Sequence, residues 1–216
     1  MKNIVIIGAG GFGREVKVLV DDINKIRSTY NFLGFYDDGI EKGTLVNGYK
    51  VLGGISDLNK LSSSTYVAIA IGAPETKQKI IDQLKNVNVK FPTLIHPSVI
   101  CSDDFVSIGK GCIICAGTVL TCNIEIQDFV ILNLMCTVGH DTIIKHYSSA
   151  MPSVNISGEV IIHQGVYIGT GAKIINQLEI GRNTIIQEET APHRLLNTRP
   201  KPRNQTQNTH FYQKNI

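Results

Sequence analysis

The sequence predicts an α/β domain followed by an all-β one: a small N-terminal Rossmann-like parallel sheet, then a left-handed parallel β-helix. Two observations carry this expectation. An aliphatic residue stands at every sixth position from Ile108 to Ile186. Near the start, the glycine-rich turn Gly8-Ala9-Gly10-Gly11-Phe12-Gly13 follows a short apolar run and opens a helical pattern. The change of texture falls at Phe91-Pro92, where helical and strand-like spacing gives way to a period of six.

In chain order, Lys2 to Ile7 reads as a short β run, and Val16, Leu19, Val20, Ile23 and Ile26 recur at helical spacing. Asn31 to Tyr36 is a second strand that ends in the turn Asp37-Asp38-Gly39; Val51-Leu52 is a weak third. Tyr66 to Ile71 is a buried strand, and Pro74 to Leu84 a helix with proline in its first turn. Together these give a parallel sheet rich in βαβ units, about half the size of a full dinucleotide-binding domain, assigned to residues 1–92.

Stepping by six from Ile108 gives fourteen aliphatic residues in succession, through Leu120, Leu132, Val138 and Ala150 to Ile186. Four places after each stands mostly a small or β-branched side chain, such as Cys112, Thr118, Cys136, Thr142, Ser148 and Val154. A coil with three flat faces, one hexad per face, sends both positions inward. Successive coils then stack at the ordinary β spacing of about 4.8 Å. Each coil needs its neighbours to bury its interior, and about four and a half coils are legible, within a domain assigned to residues 93–191. Residues 192–216 read as a polar, flexible tail.

Composition narrows the function. A net charge of +3 and basic residues without interleaved aromatics argue against nucleic acid as a partner. No apolar run reaches the ~18 residues of a membrane span, and Ile4-Val5-Ile6-Ile7 is too short for a secretory core, so a cytoplasmic protein is expected. The five cysteines are then reduced thiols, and Cys112-x-x-Cys115 reads as a pair of buried fillers rather than a redox or metal site.

His140 is the candidate for chemistry. It follows Val138 by two places, so it faces outward from the prism, with Cys122 one coil earlier and Gly158 one coil later. A glycine there leaves room beside the imidazole. Asp141 follows at once, and a carboxylate next to an imidazole orients one ring nitrogen and favours the cation, as a general base requires. His96 reads as a residue of the domain junction; His146 and His163 do not share the face of His140, and no metal is expected. The turn from Gly8 to Gly13 fits G-x-G-x-x-G after a strand, where backbone N–H groups hold phosphate oxygens; Asp37 and Asp38 end the next strand, near where a ribose or base is bound. The small sheet suits a single nucleotide rather than a dinucleotide.

These motifs, with Gly34-Phe35-Tyr36-Asp37-Asp38, Ala68-Ile69-Ala70-Ile71-Gly72, Leu94-Ile95-His96-Pro97, Asn133 through His140-Asp141, and Tyr167-Ile168-Gly169-Thr170-Gly171-Ala172, run in the same order as in a known family. The chain resembles the sialic acid O-acetyltransferase and nucleotide-aminosugar N-acetyltransferase family of left-handed β-helix enzymes. That resemblance implies a homotrimer with active sites between neighbouring β-helices, acetyl-CoA in the groove between them, and a nucleotide sugar in the small domain. Carried over, His140 is the general base and Asp141 its carboxylate; Gly10, Gly11, Phe12, Asp37, Asp38, Gly72 and Asn133 bind the sugar substrate; Gly158 and Thr170 contact acetyl-CoA. Where some members have a second histidine nine residues after the base, this chain has Ser149, expected to meet acetyl-CoA through its hydroxyl. After Ile186 the hexads yield to Gln187-Glu188-Glu189, Pro192 and a tail with Arg194, Arg199, Lys201 and Arg203, unlike the family's usual ending.

The expected reaction is acetyl transfer to the 4-amino group of a UDP-linked 4-amino-4,6-dideoxy sugar in bacterial glycan synthesis. O-acetylation of sialic acid or another polysaccharide sugar is the runner-up. A catalytically silent trimeric scaffold is the alternative of another class.

Overall fold

A computed structural model describes residues 1–102 and 105–187, so the expected tail, with Arg194, Arg199, Lys201 and Arg203, lies outside the described residues. The first part consists of β1 (Lys2–Ile7), α1 (Gly11–Ile26), β2 (Tyr30–Tyr36), β3 (Leu45–Val46), β4 (Tyr49–Gly53), α2 (Ile55–Leu58), β5 (Thr65–Ile69), α3 (Pro74–Gln83) and β6 (Val89–Lys90). These strands form one sheet in the order β3-β4-β2-β1-β5-β6. All neighbours are parallel except β3, which pairs antiparallel with β4 and makes that edge a hairpin. The weak strand expected at Val51-Leu52 is thus the middle of a longer one with its own partner. The strand order reverses between β1 and β5, and in open α/β sheets the crevice at such a switch point is where ligands bind.

Side chains alternate across this sheet. Ile4, Ile6, Phe35 and Ala68 pack under α1 with Val16, Leu19 and Val20. Val5, Ile7, Tyr36, Val67 and Ile69 pack on the other side with Ile55, Leu58 and Ile80 of α2 and α3. Both cores run on into the second part. Leu94, Ile113, Cys115 and Ile131 join the first, and Phe129 joins the second. The seam between the two parts is therefore continuous apolar packing, reinforced where His96 Nε2 meets Asp22 Oδ2 of α1 at 3.1 Å.

The second part is a left-handed parallel β-helix. Among the described residues it contains sixteen short strands in three sheets of six, five and five. The first face carries Leu94–Ile95, Ile113–Ile114, Ile131–Leu132, Ser149–Ala150, Tyr167–Ile168 and Ile185–Ile186. The second runs from Ile100–Cys101 through Val119–Leu120, Thr137–Val138 and Asn155–Ile156 to Lys173–Ile174, and the third from Val106–Ile108 to Glu179–Ile180. That is five turns and one strand, beginning two strands before the hexads become legible. The reason is a single extra residue. Leu94 pairs with Ile113 and Ile100 with Val119, nineteen residues on, whereas Val106 pairs with Ile124, eighteen on. Counting back from Ile108 by six therefore lands one place off the inward positions of the first turn.

The interior is as the hexads require: Ile114, Leu120, Ile126, Leu132, Val138, Ile144, Ile156, Ile162, Ile168 and Ile174 are each at most 3% exposed. The small residue four places on also points inward, and where it is polar it finds one recurring partner. The hydroxyls of Thr118, Thr142 and Ser148 donate to the carbonyls of Asn133, Ser157 and His163, fifteen residues ahead in the next coil. The thiols of Cys112 and Cys136 do the same to Gln127 and Met151. Satisfying each buried donor this way removes the cost of placing it in an apolar prism.

The corners carry a feature that the hexads do not advertise. Every sixth residue from Phe105 to Asn183 has a positive φ, between 54° and 76°. Four of these fourteen are glycine (Gly111, Gly117, Gly165 and Gly171); the rest include Asn123, Met135, Asp141, Ser153 and Glu159. A left-handed residue turns the chain sharply between flat faces, at a cost of about 1–2 kcal/mol for a side chain other than glycine, least for Asn and Asp. Interlocking coils sustain it.

Candidate active site

His140 and Asp141 form the corner between the second and third faces. Asp141 is itself a left-handed residue, φ 57°, and that turn brings its carboxylate back onto the preceding side chain: Oδ2 lies 2.6 Å from His140 Nδ1. The other carboxylate oxygen accepts from Asn123 Nδ2 at 3.0 Å, one coil below. Hydrogen bonding from His140 first, and then from Asn123, holds the Asp141 carboxyl below the usual carboxylate range. An ionised carboxylate only accepts, so Nδ1 is the donor, and in the neutral ring the lone pair lies on Nε2. Gly158 lies directly alongside. A methyl group on it would come within 2.6 Å of His140 Nε2, so the absent side chain is what lets the imidazole lie over that coil. The backbone clamps the same place, with Asp141 N–H donating to Cys122 O and Glu159 N–H to His140 O.

The glycine-rich turn sits at the switch point of the sheet. Its glycines divide by role. Gly8 has φ +93° and lies against Ala70 and Ile71, and a Cβ on Gly13 would stand 1.8 Å from Gly8 O; both serve the close approach of strand and helix. Gly10 differs. It caps α1 in extended conformation, and a side chain there would meet nothing within 4 Å. The first turn of α1 contains no acidic residue, which leaves its N–H groups and positive dipole end open to an anion. Gly11 is equally uncrowded, while Phe12 is partly buried against the core beneath α1.

Asp37 braces this turn: Oδ2 accepts from Ala9 N–H and Oδ1 from Gly39 N–H, both at 2.8 Å. Asp38 Oδ1 accepts from Ile55 N–H at the start of α2. Both carboxylates thus brace backbone turns at the end of β2 and the start of α2. Gly72, past the end of β5, lies against Met151, 3.5 Å from where a Cβ would be. Met151 stands one coil above Asn133, which is 5% exposed and whose N–H donates to Ala150 O. Gly72 therefore meets the β-helix at the corner between the first and second faces, where Asn133 also lies, and exposed Thr170 lies at the same corner one coil further on.

The chain thus gathers its predicted residues into two groups. His140, Asp141 and Gly158 occupy one edge of the second face; Asn133 and Thr170, with Gly10 and Gly72 beyond them, occupy the other. Ser149 joins neither. It lies on the first face beneath α3, fully buried, and its hydroxyl accepts from Lys77 Nζ at 2.9 Å. Its neighbours Ile113 and Ile131 on that face are sealed against the small domain, and α3 extends the cover to Ser149. Burial pulls the Lys77 ammonium down to a pKa of about 7 and pushes the thiols of Cys112 and Cys115 up to about 11 and 12.

Sequence reasoning missed Asn123 and Lys77. It also missed a cleft of about 600 Å³ between the start of α3 (Ala73, Pro74, Thr76) and Tyr167, Asn183 and Ile185 of the upper coils. Among the described residues, no three His, Cys, Asp or Glu side chains converge to hold a metal ion.

A profile of the PglD N-terminal domain matches residues 3–84. The chain is 31% identical over 170 residues to GDP-perosamine N-acetyltransferase of Escherichia coli O157:H7, spanning 78% of this chain and 76% of that one. It is 31% identical over 120 residues to UDP-N-acetylbacillosamine N-acetyltransferase of Bacillus subtilis (strain 168), covering 54% and 52% of the two chains. Its fold matches the acetyltransferase domain of PglB from Neisseria gonorrhoeae FA1090, solved in complex with acetyl coenzyme A, with a TM-score of 0.78 and 30% identity over 87% of this chain and 88% of that one.

Proposed function

The chain belongs to the sialic acid O-acetyltransferase and nucleotide-aminosugar N-acetyltransferase family of left-handed β-helix enzymes, and we propose from that premise how its residues divide the work. It is an acetyl-CoA-dependent sugar N-acetyltransferase. In our reading the acceptor is the 4-amino group of a UDP-linked 4-amino-4,6-dideoxy sugar. A GDP-linked sugar is the second candidate, favoured by the likeness to the perosamine enzyme.

The observation that carries the mechanism is the 2.6 Å contact between His140 Nδ1 and Asp141. It fixes the tautomer, leaves Nε2 as the free base on the outer surface, and stabilises the imidazolium that forms when Nε2 takes the proton from the attacking amine. The amine nitrogen bonds to the acetyl carbonyl carbon as His140 takes its proton, the C–S bond breaks with its electron pair going to sulfur, and the imidazolium returns the proton so that CoA leaves as the thiol. Gly158 and Thr170 are proposed contacts for acetyl-CoA along the β-helix. Gly10, Gly11, Phe12, Asp37, Asp38 and Gly72 are the proposed nucleotide-sugar pocket, and Asn133 is a proposed contact to the sugar substrate.

The proposed assembly is a homotrimer, and this division of residues favours it. The base and the acceptor pocket sit on opposite edges of the second face, so one chain does not close a site. A threefold arrangement brings the pocket edge of one copy against the His140 edge of the next. The proposed compartment is the cytoplasm, where acetyl-CoA is supplied; among the described residues no helix is long and apolar enough to cross a membrane.

The test is thiol release from acetyl-CoA with a panel of UDP- and GDP-linked 4-amino sugars, each product checked by mass for one added acetyl group. His140→Ala should lower kcat by about 10²–10⁴ with little change in nucleotide-sugar affinity. Near-normal turnover in that variant overturns the base. Absence of acetylation across the panel overturns the acceptor.

A further inference from the structure

His140 and Asp141 are both about half exposed, with side chains 55% and 50% accessible. A carboxylate that open to water rotates freely about its side-chain torsions unless something holds it. We propose that Asn123 is the positioning residue that holds it: its amide fixes the Asp141 carboxylate, so that Asp141 in turn fixes the imidazole. This rests on the reading of His140 as the general base. The chain of contacts is direct, Asn123 Nδ2 to Asp141 Oδ1 at 3.0 Å and Asp141 Oδ2 to His140 Nδ1 at 2.6 Å.

Corner geometry explains how two exposed side chains come to meet. Asn123 and Asp141 occupy the same corner in successive coils, with φ of 54° and 57°, so their side chains leave the backbone in the same direction. Asn and Asp are the side chains that tolerate this conformation best. The choice of an amide matters chemically. A neutral donor restrains the carboxylate without cancelling its charge, whereas a lysine there would compete with the imidazolium for it.

Two substitutions separate positioning from folding. Asn123→Gly removes the amide but keeps the backbone, since four corners of the coil are already glycine at similar φ. Asn123→Asp keeps the shape and replaces a donor with a charge facing Asp141. Both variants should melt like the wild type. Asn123→Gly should lower kcat by about three- to tenfold, the worth of one solvent-exposed hydrogen bond, with KM for both substrates unchanged. The acid limb of its kcat/KM profile should move to lower pH, because the protonated base loses an ordered carboxylate. In Asn123→Asp the limb should move to higher pH, because a second carboxylate stands nearby.

Wild-type kcat and an unmoved limb in both variants overturn the inference. A fall in kcat with no movement of the limb marks general loosening and overturns it equally. His140→Ala run alongside keeps the two levels apart. If it retains turnover, the reading of the base fails along with this one. If it is inactive while the Asn123 variants behave as wild type, the failure is that of Asn123 alone.

Discussion

Lys77 shows how a residue's chemistry is set by where the fold places it. At a solvent-facing helical position a lysine is an ordinary cation, but α3 presses this one onto the first face of the β-helix, where it is 1% exposed and bonds Ser149. Burial lowers its pKa from 10.5 to about 7. From pH 7 upward the unfolded chain therefore holds a proton that the folded chain has shed. The unfolded state binds more protons, so this residue's contribution to stability rises with pH, with a slope of at most about 1.4 kcal/mol per pH unit. The buried thiols of Cys112, Cys115 and Cys136, raised from 9.0 to about 11–12, act in the opposite sense above pH 9. Between pH 7 and 9, then, the wild-type Tm should rise relative to that of Lys77→Met, and parallel curves would contradict the assignment. Nothing in the sequence marks Lys77, because its spacing on α3 does not say what covers it. Asn123 was equally hidden: its contact with Asp141 exists because eighteen residues make one coil, and it becomes legible once that register is known. The His140-Asp141 pair and the gap at Gly158 needed no coordinates, since both follow from hexad position.

At the scale of elements, the turn between β1 and α1 combines two demands that the sequence merges into one motif. Gly13 is required by packing and Gly10 by access. Gly13→Ala would push a methyl group into Gly8 O and should destabilise the small domain by about 1–3 kcal/mol. Gly10→Leu enters open space in a conformation open to any residue, so it should fold normally. Its side chain would fill the place proposed for phosphate, and KM for the nucleotide sugar should rise on the order of tenfold or more with KM for acetyl-CoA unchanged. Steady-state kinetics with each substrate varied in turn checks this; an unaltered nucleotide-sugar KM would move the phosphate elsewhere. The coils show the same contrast of visible and hidden demands. Inward positions were legible because a prism one residue wide admits few side chains. The left-handed corners were not, because ten of the fourteen carry something other than glycine. The first two strands were lost to one extra residue between Cys101 and Val106.

For the whole molecule, the seam matters more than either part. Ile113, Ile131 and Phe129 face outward from the coil, yet they are buried in the cores of the small domain, so sheet and β-helix are fixed together. That fixes the sheet crevice beside Met151 and Asn133, a full face of the prism away from His140. The central claim is that a competent site combines the pocket of one copy with the base of another. It is tested most directly by coexpressing two impaired chains, Gly10→Leu with a raised nucleotide-sugar KM and His140→Asn without a base, assayed at a nucleotide-sugar concentration well below the wild-type KM. Random trimers of equal parts place an intact pocket against an intact base in about one site in four, so about a quarter of the wild-type activity should return where Gly10→Leu alone shows about a tenth or less and His140→Asn almost none. Mixed trimers no more active than the parent variants would mean that each chain completes its own site, and would contradict the account.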